Sequence, residues 1–264
     1  FTQKQLASID KDLLGNYAFS QSNSRLLSAM AMASYKIQIQ RDFSFEAMAG
    51  SEVKMYEGLS SSIAGRNFII PGIYSMSNVD EVLKVQDATV GHGLQRNAAV
   101  FSEFKADYKS IANLSVTGRW DWSSTIKQAL NPYFYPSITA GLIFTELFKI
   151  ENKILTYGKI RGNWAYAGKD APRYLYDRKY TQYPTLPDGG YGVDPSKSVA
   201  GILYPEIMNS WEIGADLRFF DNKTKFDIAY YSTFVDNQIV TVRVSPASGF
   251  ILQTRNEGAI RNSG

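Results

Sequence analysis

Period-two alternation of apolar and polar residues restricts the fold of this 264-residue sequence more than any other feature. A pleated strand sends successive side chains to opposite faces, so each alternating segment reads as a strand with one apolar and one polar side. In 210–220, Trp211, Ile213, Ala215, Leu217 and Phe219 oppose Glu212, Gly214, Asp216 and Arg218. In 111–122, Leu114, Val116, Trp120 and Trp122 oppose Asn113, Ser115, Thr117, Arg119 and Asp121. In 156–167, Ile160, Trp164 and Tyr166 oppose Lys159, Arg161 and Asn163. In 43–57, Phe43, Phe45, Ala47, Val53 and Met55 oppose Glu46, Glu52 and Lys54. Further strands are expected at 25–38, 95–108, 133–146 and 224–236, with a partial one near 239–245, giving about eight full strands and no long helix.

The connections alternate in length. Short links fall near 38–42, 108–110, 147–155 and 221–223, and long ones at 58–94, 123–132, 168–209 and 237–252. An up-and-down meander with tight turns at one rim and elaborated loops at the other has this pattern, and transmembrane barrels show that asymmetry. Such a meander places 168–209 on the same rim as 58–94. Strands of about ten residues suit a tilted membrane crossing, whereas a soluble sandwich more often uses five or six. The alternation alone admits both a soluble core on the apolar side and a strand with lipid on one side and water on the other.

Composition removes several function classes. Cysteine is absent, which excludes disulfides, thiolate metal sites and cysteine nucleophiles. The single histidine, His92, excludes histidine-clustered zinc and disfavours a Ser-His-Asp centre. A net charge of +3 without a basic cluster gives no reason to expect nucleic acid. No apolar run nears the roughly 20 residues of a spanning helix. The start, FTQKQLASID, lacks the charged and then apolar opening of a secretory signal.

Local motifs carry little chemistry. GNWAYAGKD at 162–170 has one residue too many for a phosphate loop, and Asp170 stands where Ser or Thr should be. GHGLQR at 91–96 lacks the third glycine of a dinucleotide fingerprint. Asp188 and Asp194 form at most a weak calcium site, and no other cofactor or metal is expected. No catalytic residue is assigned. The segment 168–209 holds Tyr174, Tyr176, Tyr180, Tyr183, Tyr191 and Tyr204 with five prolines. Stiffened tyrosine surface suits sugar or peptide contact, or simply folds on itself; the first five are candidate ligand or lid contacts.

Specific strings go further. LSVTGRWDWSSTI at 114–126, followed by NPYFYPSITAGLIFTE, resembles the SusC/RagA-like TonB-dependent outer-membrane transporters. IPGIYSMSN at 70–78, YGKIRGNWAYAGKDA at 157–171, NSWEIGADLRFFDNK at 209–223, DIAYYSTFVDNQI at 227–239, VSPASGF at 244–250 and NEGAIRNSG at 256–264 agree in order. The resemblance covers roughly 65–264 strongly and the start by strand pattern. It implies an all-β fold, a segment of an antiparallel up-and-down transmembrane barrel of about 22 strands. Members are several times longer and carry a plug domain and a TonB-contacting segment, neither of which is in this sequence. The whole of 1–264 is therefore expected to be part of one barrel domain, completed by strands outside it.

The resemblance implies a non-enzymatic role: the wall of an importer of oligosaccharides or peptides in a Gram-negative outer membrane, energised through TonB. A SusD-like surface lipoprotein would cap it, with outer-membrane lipid around it and a dimer of transporter–lipoprotein pairs as one assembly. Candidate lumen-facing residues are Arg119, Asp121, Lys159, Arg161, Asn163, Glu212, Asp216 and Arg218, which also suit plain cross-strand ion pairing. Candidate lipid-interface anchors are Trp120, Trp122, Trp164 and Trp211. The rival readings are a passive porin, a secreted soluble β domain that binds carbohydrate, and a β-structured glycoside hydrolase.

Overall fold

The computed structural model describes residues 15–39, 41–86, 92–150, 152–175, 180–182, 190–193, 198–199 and 201–264. Its strands are β1 (Asn16–Ile39), β2 (Phe43–Phe68), β3 (Val79–Gln86), β4 (Gly93–Tyr108), β5 (Ala112–Ser123), β6 (Tyr133–Ile143) and β7 (Leu155–Lys169). After them come β8 (Tyr180–Gln182), β9 (Tyr191–Val193), β10 (Ser198–Val199), β11 (Glu206–Phe219), β12 (Thr224–Asp236), β13 (Ile239–Arg243), β14 (Leu252–Asn256) and β15 (Ile260–Ser263). The chain divides into one unit of residues 1–27 and 54–95 and another of 28–53 and 96–264.

The larger unit is an antiparallel meander, with ladder order β1-β2-β4-β5-β6-β7-β11-β12-β15. Every strand read from the alternation is present. β4 and β5 pair from Asn97↔Ser123 to Tyr108↔Ala112, and β7 and β11 pair from Lys169↔Glu206 to Leu155↔Phe219. Two small satellite sheets, β8-β9 and β10-β14-β13, lie in the long connections. β13 is the partial strand expected near 239–245, within the long connection 237–252.

Strand β6 is shorter than expected. The alternation carried it to 146, but Phe144–Leu147 forms one helical turn. Thr145 directs its hydroxyl sideways, accepting from the Gly158 amide at 3.0 Å and donating to the Gly158 carbonyl. The Phe144 ring lies against Gly158, in the space that a Cβ there would fill.

In the smaller unit, β2 runs on to Phe68 and β3 pairs back on it from Ser62↔Gln86 to Phe68↔Val79. Much of the expected loop 58–94 is therefore strand. The remaining loop is held by Asn78, whose amide accepts from Ile70 N at 2.9 Å and donates to the carbonyls of Ile70 and Ile73, both at 2.7 Å.

Candidate functional site

Register fixes which side chains share a face of the larger unit, because directly paired residues in an antiparallel ladder point the same way. One face carries the row Phe104, Val116, Ile138, Trp164 and Trp211, each the partner of the next. Val100, Trp120 and Phe134 form a second row, and Ile160, Ala215 and Ile228 a third. This face is apolar and uncovered: Phe104 is 62% exposed, Ile213 59% and Ile228 63%. Buried apolar side chains among the described residues are few, Phe68, Val79, Ala99, Ile126, Ala171 and Leu203, and most lie at strand ends or in connections. The unit thus turns its large apolar residues outward over a wide face, beyond what a solvated monomer tolerates.

The apolar face is banded. Phe43, Phe45 and Tyr108 gather at the short-turn end with Phe219 and Phe226, and Phe43 lies 4.7 Å from Tyr108. Trp120 and Phe134, 4.6 Å apart, stand toward the long-connection end with Trp122, and so do Trp164 beside Tyr166 and Trp211 beside Tyr230. Aliphatic side chains fill the space between. From Tyr108 to the level of Trp122, opposite Ala98, is ten residues of β4. That is about 33 Å along the strand, or about 25 Å of height at the usual tilt of roughly 40°, the thickness of the apolar band of an outer-membrane barrel.

The opposite face is mostly polar. Glu103, Thr117, Ser137, Ala165, Ser210 and Thr233 form one row, and Thr139, Asn163, Glu212 and Tyr231 another. Its charges are neutralised locally. Arg119 donates to Glu52 at 2.9 Å and to Asp121 at 2.7 Å, and lies over the Phe101 ring. Arg161 reaches Asp227 at 2.7 Å and Glu212 at 3.7 Å. Gly214 leaves the room for it, since a Cβ there would meet the guanidinium at 2.9 Å. Arg218 pairs with Asp216 at 3.5 Å and stacks on Tyr157. Hydrated pairs of this kind shape the potential of the face more than they hold the fold. At the short-turn end the Asp42 carboxylate, hydrogen-bonded to Lys109 at 3.2 Å, raises the pKa of that amine.

An up-and-down ladder with one lipid-type face, one water-type face and aromatic bands at the spacing of a membrane is the wall of an outer-membrane barrel. The sequence agrees: the family model of the TonB-dependent receptor-like β-barrel matches residues 8–264. The chain belongs to this family. In structure it is similar to the RagAB peptide transporter at 18% identity and a TM-score of 0.79, over 94% of this chain and 28% of that one. It is similar also to the RagAB peptide importer in the "open-open" state, at 18% identity and a TM-score of 0.76, over 94% of this chain and 27% of that one. The Serratia marcescens hemophore receptor HasR, as a double mutant with its hemophore HasA and heme, matches at 15% identity and a TM-score of 0.57, over 93% of this chain and 39% of that one. Identities at this level show a shared fold, and the chain spans under a third of the RagAB chain's length. No curated protein sequence matches.

Within this TonB-dependent receptor-like barrel segment, the expected residues fall on two sides of one sheet. Arg119, Asp121, Lys159, Arg161, Asn163, Glu212, Asp216 and Arg218 all lie on the polar face. Trp120, Trp122, Trp164 and Trp211 all lie on the apolar one, where the Trp164 indole donates to Asn209 at 2.9 Å. Glu52 and Asp227 complete the arginine clusters. Both sit in alternating segments, but no spacing rule names the strand that will stand next to them.

Of the candidate loop tyrosines, Tyr174 is exposed. Tyr180 and Tyr191 belong to the backbone ladder of β8 and β9. Tyr176, Tyr183, Asp188 and Asp194 lie outside the described residues. Asn97, near the start of β4, donates to Asp170 at 2.9 Å, so the start of β4 and the link out of β7 meet at one end of the larger unit. In the smaller unit, His92 contacts Glu57 at 3.2 Å, and Glu57 also pairs with Arg25. Among the described residues no group of three or more His, Asp or Glu is placed to hold a metal ion.

The family strings have a structural content that alternation did not reveal. Asn131 closes the loop after β5 by pairing with one backbone residue, accepting from Ser123 N at 3.0 Å and donating to Ser123 O at 3.1 Å. Asn256 treats Tyr204 the same way, at 2.8 and 2.9 Å, and also reaches the Asn237 carbonyl at 2.7 Å. With Asn78, three strings each contribute an asparagine that imitates a neighbouring strand. The serines of WDWSST act similarly, since Ser124 exchanges two hydrogen bonds with Arg96, its amide donating to the carbonyl and its hydroxyl accepting from the amide.

Proposed function

We propose that this chain forms wall strands of a SusC/RagA-like, TonB-energised outer-membrane transporter that imports peptides or oligosaccharides beneath a SusD-like lipoprotein. The observation that carries the reading is the division of one sheet into an exposed, aromatic-banded apolar face and a hydrated face of paired charges. Lipid demands that every backbone group be paired, and a ladder of long strands meets that demand once further strands close its two edges into a barrel. The likeness to chains described as a peptide transporter supports peptide as cargo, and the alternating signs of Glu52, Arg119, Asp121, Arg161, Glu212 and Asp227 suit zwitterionic backbones as well as polyols. The polar face is then the lumen wall, the tyrosine-rich connection lies toward the lid, and the segment acts without catalytic groups, metal or cofactor.

The test is uptake by intact cells of the native full-length protein. Growth or radiolabel uptake on defined oligopeptides and oligosaccharides should require the gene and stop on adding a proton uncoupler. Affinity purification should recover a lipoprotein. Uptake that survives the uncoupler would instead identify a passive porin.

A further inference from the structure

A groove of about 190 Å³ opens on the apolar face of the larger unit, lined by Ala47 and Ala106 between the bulkier Tyr35, Phe45, Phe104 and Leu114. Four strands meet there, and the two alanines leave a slot where every flanking residue is large. Lipid contacts any exposed apolar face, but this slot has a direction. Ala106 is two residues before Tyr108, the end of β4, and Lys109 opens the turn immediately after it. Between them stands the Phe43–Tyr108 aromatic pair, with Lys109 lying over the Tyr108 ring. At the turn, exposed Arg41 joins Lys109 and its partner Asp42 to leave one net positive charge. The order apolar slot, aromatic collar, cation matches the order acyl chain, glycerol, phosphate in a phospholipid.

We infer that this groove is a binding site for one anionic phospholipid, its acyl chain beside Ala47 and Ala106 and its phosphate at Arg41 and Lys109. The inference rests on the outer-membrane reading above. Short turns of such barrels face the periplasm, where the leaflet is built of phospholipid, so the occupant comes from that leaflet and not from lipopolysaccharide. A slot that seats a chain retains it longer than a smooth wall does, because methylenes buried in contact with protein are exchanged less freely than those packed only on other lipid.

The experiment uses the full-length protein extracted from native outer membranes in mild detergent, stripped stepwise of lipid, with the remaining phospholipid measured by native mass spectrometry. Wild type should keep about one phosphatidylglycerol-class lipid after bulk lipid is gone. Ala106→Phe, which fills the slot, should lower that retention at least tenfold, while Ile228→Phe on the same face but away from the slot leaves it unchanged. Arg41→Gln with Lys109→Gln should keep a lipid but lose the preference for anionic over zwitterionic headgroups, and it keeps the idea testable if Ala106→Phe does not fold. Equal retention by Ala106→Phe and wild type, retention of lipopolysaccharide instead, or loss of all lipid together with the bulk would overturn the proposal. Absence of the protein from the outer membrane would overturn the transport reading itself, and the starting fractionation separates that outcome from the others.

Discussion

Ile228 sits midway between the aromatic bands, 63% exposed, with Ala215 opposite and Ile160 one strand further on. Replacing it by arginine separates a water-facing from a lipid-facing surface. On a solvated sheet, a substitution at so exposed a position changes stability by about 0.5 kcal/mol or less. At the middle of a bilayer the same change costs about 2–4 kcal/mol, a factor of roughly 30 to 700 in the folding equilibrium. The adjacent Ala229 points to the other face, where it opposes Gly214 and the Arg161 guanidinium lying over it, so Ala229→Glu should be tolerated. The assay is urea unfolding of the refolded full-length protein in phospholipid vesicles, followed by tryptophan fluorescence. Ile228→Arg should lose at least 2 kcal/mol and Ala229→Glu less than about 1 kcal/mol. Equal effects at the two positions would refute the assignment of the faces.

Because the chain has no cysteine, single cysteines introduced into this segment report the same division: Arg119→Cys should react with a charged, membrane-impermeant thiol reagent in a folded barrel, and Trp120→Cys should not. Arg119→Ala leaves Glu52 and Asp121 without the cation between them. The ratio of cationic to anionic peptide uptake should then rise roughly threefold or more, and Arg119→Lys should restore much of it. Asn131→Ala leaves the Ser123 amide without its partner and the Ser123 carbonyl with only the longer bond from Ile126 N at 3.5 Å, costing about 1–3 kcal/mol and speeding amide exchange across 123–131 while leaving β7 and β11 protected. Gly158→Ala drives a methyl into the Phe144 ring, and overpacking of about 1–3 kcal/mol should lower the urea midpoint; an unchanged midpoint would show that the ring moves aside freely.

The two faces were legible in the sequence because a period of two needs nothing beyond neighbours in the chain. Trp211, Ile213 and Leu217 against Glu212, Asp216 and Arg218 state the division within a single strand. What remained hidden depends on partners distant in sequence. The extension of β2 through SSSIAGRNF carries serines and alanine in place of an apolar stripe, and both its faces are half-buried or buried, so nothing alternates. β3 is visible only as the partner of that extension. The helical turn at Phe144–Leu147 replaces the end of an apparently continuous strand because Thr145 finds Gly158, thirteen residues on. The arginine clusters were half-read: Arg119 with Asp121 lies within one strand, while Glu52 joins it from 67 residues away.

The asparagine clasps change how the long connections should be regarded. Asn131 joins the two ends of a loop through one side chain, so the seven residues 124–130 between its partner Ser123 and itself need not supply the pairing that keeps β5 and β6 in register. Ser124 is pinned to Arg96, and Thr125 and Ile126 are buried, so it is the stretch 127–130 whose length and chemistry are free to drift while the wall stays fixed. A designer could exchange 127–130 for a foreign recognition loop, and a lineage could do the same by insertion, with the clasp acting as the cut-and-paste boundary between what the membrane demands and what the cargo or lid selects.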